Sequence, residues 1–284
     1  MNKGLFISLS VIILGFSIFF ILGINTAPAI TYFPDDEDSS FTSANSNLEL
    51  FLPKGNDSYQ LAWTTDSRSD KEMYLRQDAS LLFDNGRLRG VRSKWVQDTD
   101  HIQIEEKLVS EDSSFFQVIS FHHGEIHYPN EQIKSIRQMS ADHLYVIDSP
   151  NTSLDAFKTP ENEFESEWKN LLNRTTKQQL LYHWNRLFTY FDISGESYLS
   201  VPLTSLHKYN NEPLPTMTRD ETNKIMGQLW EGLYKNYIIP AVNTENNQLQ
   251  SYIPIILFDK QNQHLLVLFE LNAKKYKLIQ QYAN

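Results

Sequence analysis

From position 4 to position 24 the chain carries no charged residue, and only Lys3 precedes that stretch. About 20 uncharged, mostly apolar residues match the thickness of a bilayer's hydrocarbon core when wound into a helix, which satisfies all of its own backbone hydrogen bonds there. Residues 4–24 are therefore expected to form a single transmembrane helix behind a cytoplasmic stub of residues 1–3. Orientation follows from the flanks. Lys3 and the N-terminal amine lie before the span, and the first charges after it, Asp35, Asp36, Glu37 and Asp38, are acidic. The positive-inside tendency then places everything beyond about residue 25 on the extracytoplasmic side. The alternative is a cleavable signal sequence, because Ala27-Pro28-Ala29 offers small residues at a suitable distance. Pro28 between the alanines and the length of the apolar run favour an uncleaved anchor in the cell membrane.

Cysteine is absent from all 284 residues, so a translocated domain must fold without disulfides, which suits a bacterial envelope better than a eukaryotic secretory route. Lys and Arg number 25 against 35 Asp and Glu, a formal net charge of −10. That balance argues against nucleic acid as a partner and against tight attachment to anionic lipid. The expected partners are the membrane, through the N-terminal helix, and an envelope protein or wall component.

Residues 34–47 are polar and acidic, with Phe41 as their one large apolar side chain, too little surface to order a segment by burial. Residues 25–47 are expected to be an acidic tether. No period of 20 to 50 residues recurs, which removes solenoids and propellers. Residues 48–150 read as strand-rich. Asn85-Gly86 between two β-prone runs, 80–83 and 87–91, predicts a tight primed hairpin, and runs at 102–108, 115–121 and 144–147 would add strands.

Residues 151–284 change period. Thr159-Pro160 opens a predicted helix with Phe164, Trp168, Leu171 and Leu172 on one face. A second helix is predicted from Thr176 to Gly195, and a third from Thr218, whose hydroxyl forms a capping box with Glu221, to a stop before Pro240. A C-terminal β-hairpin follows, at 252–258 and 264–271, with 276–281 as a candidate third strand. Such apolar strands need cover on both faces. The expected fold is α+β: transmembrane helix, strand-rich half, three-helix segment and C-terminal hairpin, the last two either forming one domain with the strands before them or a second one.

Two clusters carry candidate chemistry. In an extended strand His123, Glu125 and His127 point to one face, and two imidazoles with a carboxylate suit zinc or another divalent ion. Against this, Gly124 predicts a turn or bulge that scatters them, leaving polar residues on an exposed hairpin. A divalent metal is the one cofactor whose ligands the sequence offers; otherwise none is expected. The second cluster is Arg87, Arg89, Arg92 and Lys94, which could contact an anionic polymer or acidic partner. Its competing reading is a solvated strand face that discourages edge pairing.

Nucleophilic catalysis finds no support in the motifs, with no cysteine and no Gly-x-Ser-x-Gly elbow, and no phosphate-cradling glycine loop occurs. Trp168, Trp184 and Trp230 fall on apolar helix faces and read as core. The loop 202–215, with Tyr209, Asn210 and Asn211, is the irregular segment most suited to contact a partner. Taken together the sequence predicts a single-pass extracytoplasmic protein that binds another envelope component in a regulatory or assembly role. The rivals are a metal-dependent envelope hydrolase using His123, Glu125 and His127, and a small-ligand sensor.

Overall fold

Asn85 and Gly86 adopt φ values of 47° and 81°, the two left-handed conformations that a two-residue primed turn requires. They join β2 (Tyr59–Asp84) to β3 (Arg87–Ser110), strands of 26 and 24 residues. The structure is a computed structural model that describes residues 31–51, 58–150, 152–244 and 249–282. The predicted stub, the span 4–24 and Ala27-Pro28-Ala29 lie outside the described residues. Among those described, no helix is long and apolar enough to cross a membrane.

The two long strands exceed the short runs expected because their inward positions change from apolar to hydroxylic without losing alternation. Tyr59, Leu61, Trp63, Thr65, Ser67 and Ser69 are all buried, and every second residue along this run faces inward. Between Arg68 and Met73 the β2–β3 register slips, and there the hairpin doubles back on itself. Trp63 Nε1 donates to Ser80 Oγ at 3.0 Å and Ser67 Oγ to Asp78 at 2.6 Å, contacts between two halves of one strand that only a folded ribbon can make.

β1 (Phe41–Phe51) pairs with the first half of β2, and β4 (Ser114–His127) with its second half. β5 (Ile133–Ile147) and β6 (Asp155–Phe157) complete this large sheet. Leu48, Trp63, Leu82, Val118 and Leu144 pack between its halves. The predicted tether is thus corrected. Asp36 is buried, Asp35 bridges to Ser135, and β1 begins at Phe41. Polar side chains order this segment: Ser46 Oγ lies 2.7 Å from both Ser120 Oγ and Ser140 Oγ, and Leu48 N–H donates to Asp142 at 2.8 Å. A count of apolar area could not register such pairing.

The first two predicted helices are one, α1 (Glu163–Phe191), capped by Asn162 rather than Thr159. Thr176 does not cap a new helix but lies buried on α1's inner face. Its 29 residues span roughly 43 Å at the α-helical rise. The N-terminal part packs through Leu172 on Tyr145, Ile147 and Phe157 of the large sheet; the C-terminal part packs through Leu187 on a second sheet. α2 (Arg219–Leu233) has the expected Thr218–Glu221 capping box. It does not stop before Pro240 but continues through a π turn, Tyr234–Ile238, into α3 (Ile239–Val242). Ile239 N–H donates to the Tyr234 carbonyl five residues back, and the wider turn accommodates a proline that an α-helical interior would reject.

The second sheet contains the predicted C-terminal strands, β8 (Ile255–Asp259), β9 (His264–Leu271) and β10 (Lys274–Gln281), with β7 (Tyr198–Pro202) on its other edge in the order β10-β9-β8-β7. Both faces are covered, as such apolar strands demand. Ile256, Phe258 and Val267 face a core shared with α2 and with Leu81, Phe83 and Phe121 of the large sheet, while Leu257 and Leu266 face α1.

Candidate functional site

β4 runs through Gly124 without a bulge, pairing it with Arg76 on one side and Ile136 on the other. A Cβ at position 124 would collide with Met73 Sδ and lie 3.1 Å from Arg76 Cδ, so glycine here makes room for the β2 side chains rather than turning the chain. The expected turn and exposed hairpin are therefore corrected: His123 and Glu125 are buried. Glu125 sits between two imidazoles, Oε1 3.2 Å from His123 Nε2 and Oε2 3.6 Å from His127 Nε2. His127 stacks on Tyr74 with ring centroids 3.8 Å apart. Burial pushes the His123 pKa down, and the hydrogen bond and charge of Glu125 only partly oppose it. Among the described residues no group of three or more His, Cys, Asp or Glu is placed to hold a metal ion.

The basic strand is dispersed in the same way. Arg89 Nε lies 3.9 Å from Asp84, Arg92 Nε donates to Glu106 at 2.6 Å, and Lys94 Nζ donates to the Gln103 carbonyl at 3.1 Å. The register slip between Leu82 and Phe83 falls at Arg89, which is left without a cross-strand partner between Leu88 and Gly90. Arg87 is exposed and has no ion pair among the described residues. Three of the four cations fasten β3 to its own ribbon.

A constellation that the motifs did not announce lies between the halves of the large sheet. Asp78 Oδ2 lies 2.8 Å from His122 Nδ1, and His122 Nε2 lies 2.7 Å from Ser140 Oγ. The order resembles a nucleophile–base–acid array. Its surroundings make it structural: Asp78 and His122 are fully buried, and the Ser140 hydroxyl also meets Ser46. Arg76, fully buried too, donates to Ser69 Oγ and the Asp100 carbonyl at 2.8 Å and lies 3.9 Å from Asp78. The Phe41 ring covers its guanidinium at 4.7 Å. Strand alternation alone could have paired Asp78 with His122, but not before the register was known.

The open site is a cleft of about 430 Å³ on the outer edge of β5, within the usual range for small-ligand pockets. Residues 35–41 form one wall and Tyr209–Asn211 with Arg219 and Asn223 of α2 the other; Phe121, Met139 and Met226 are at its base. The first wall is held firmly. Arg137 pairs with Asp35 and donates to the Phe33 carbonyl at 3.1 Å and the Asn223 carbonyl at 3.3 Å. Burial disfavours ionisation of Asp36, but hydrogen bonds from Ser39, Tyr128 and Lys134 outweigh it and hold the carboxyl below the usual range. The opposite wall is loosely engaged. Exposed Arg219 makes a single hydrogen bond among the described residues, to the Tyr209 carbonyl at 3.4 Å. The side-chain amides of Asn211 and Asn223 have no partner among those residues.

The predicted contact loop 202–215 contributes in an altered form. Residues Leu203–Asn210 wind into a 3-10 helix that buries Leu206 and most of Tyr209, so the aromatic ring belongs largely to the core while Tyr209, Asn210 and Asn211 line the cleft. Trp230 is fully buried as expected; Trp184 and Trp168 pack at the margins of the core. No protein-family model matches this chain, and no curated protein matches it at a significant level.

Proposed function

We propose that this is a single-pass bacterial membrane protein whose extracytoplasmic α+β domain binds another envelope component in a regulatory or assembly role. The uncharged run of residues 4–24 supports the anchor. The observation that carries the binding role is the contrast between two kinds of polar group. The reactive side chains, His122, His123, Asp78 and Glu125, are interior and bonded to one another or to a neighbouring hydroxyl, whereas Arg219, Asn211 and Asn223 line an open cleft, where Arg219 makes one long hydrogen bond and the two asparagine amides have no partner among the described residues. Polar groups left unused by a fold at a concave surface are those available to a ligand.

Affinity capture of the intact protein from membranes at native expression tests this. A specific envelope partner is expected, and recovery of none contradicts the proposal. A small-ligand sensor is the second reading, favoured by the volume of the cleft. It predicts ligand-dependent thermal stabilisation without a captured partner.

A further inference from the structure

The backbone at the base of the cleft says what kind of ligand fits. Ser135 and Met139 both turn their N–H and C=O groups away from β4. For Ser135 these are taken by the Pro34 carbonyl and the Asp36 N–H, each at 2.9 Å. For Met139 they are taken by the Asn210 side-chain amide, at 3.1 Å and 2.6 Å. Outward-facing peptide groups recur at every second residue of an antiparallel ladder, and the β4–β5 register is unbroken here. Arg137, midway between them, therefore turns its N–H and C=O outward as well. No described residue pairs with either.

The sheet edge is thus open for one residue, between plugs about 13 Å apart at the usual strand rise. Strand addition by an internal segment pairs several residues, and both plugs block it. A chain end needs only one. Arg219 supplies a planar fork suited to a carboxylate, Asn211 and Asn223 line the same cleft, and Phe121, Met139 and Met226 add apolar surface to it.

We propose that the cleft captures the carboxyl terminus of an extended peptide. Its backbone pairs with Arg137, its terminal carboxylate binds Arg219, and an apolar terminal side chain rests on Met139 and Met226. This deepens the binding role proposed above and rests on it.

The test is fluorescence anisotropy of dye-labelled Ala-Ala-Leu, with a free carboxylate, titrated with the intact protein in nanodiscs. The carboxamide form is expected to bind at least about tenfold more weakly, the scale of one lost charged hydrogen bond. N-methylation of the peptide's central amide should weaken binding as well. Arg219→Glu should abolish it and Arg219→Lys retain part of it, with thermal unfolding of both variants unchanged because Arg219 is exposed. Equal binding of acid and amide, indifference to Arg219→Glu, or no binding of the free acid would each overturn the proposal. A membrane partner captured equally well by wild type and Arg219→Glu would uphold the general binding role and overturn this site.

Discussion

Charge inside this protein is held by hydroxyl groups. Asp78 accepts from Ser67 and His122, and Arg76 donates to Ser67 and Ser69, so that neither ion depends on the other alone. Removing one member leaves a desolvated charge, whereas removing both leaves a packing problem. Asp78→Ala is expected to cost about 3–5 kcal/mol in urea denaturation, and Arg76→Met with Asp78→Leu less than the two single losses together. Additive losses would contradict the coupling. Gly124→Ala should cost about 1–3 kcal/mol by overpacking Met73 and Arg76, read as a lowered Tm. His123 titrates lower in the folded protein than its ordinary value of about 6.5. The unfolded chain therefore binds more protons as pH falls below that value, and stability falls with it. His123→Gln should flatten this dependence between about pH 6.5 and 5, measured by denaturation at each pH.

Local chemistry made some elements readable and distant pairing hid others. Asn85-Gly86 and the Thr218–Glu221 box carry their geometry within four residues, and both form where the sequence puts them. The fusion of α1 was hidden because Thr176, which looks like a helix opener, is spent elsewhere: it faces Asn85, and Thr175 Oγ1 beside it donates to the Leu171 and Leu172 carbonyls of the same helix. The doubled hairpin depends on Ser67 meeting Asp78, and composition cannot show that. The cleft was the least legible, since Asn210 must arrive from 71 positions away to plug β5 at Met139. The segment before β1 has its own prediction. Asp36 fastens it to Ser39, Tyr128 and Lys134, and its depressed pKa means that this contribution is present above about pH 4 and lost as pH falls further. Asp36→Ala should speed amide exchange at position 36 and at Ser135 in the intact protein near neutral pH. Unchanged protection there would show that the backbone bridge suffices.

At the scale of the whole molecule, α1 acts as a strut between the two sheets and the chain before β1 acts as a strap rather than a tether. Tyr32 N–H donates to Glu231 of α2 at 2.9 Å, and the Arg137 guanidinium lies 5.0 Å from the Tyr32 ring. On the anchored reading, seven residues, 25–31, separate the span from this contact, at most roughly 25 Å of extended chain. The α2 side, and the cleft beside it, would then be held near the headgroups, where the terminus of another membrane protein is within reach. The most direct measurement places a photo-crosslinking residue at Asn211, on the cleft, and separately at Tyr182, exposed on α1, in intact cells. The account predicts a discrete partner adduct from position 211 that disappears with Arg219→Glu, and none from position 182. Adducts from 182 alone, or from 211 regardless of Arg219, would contradict it.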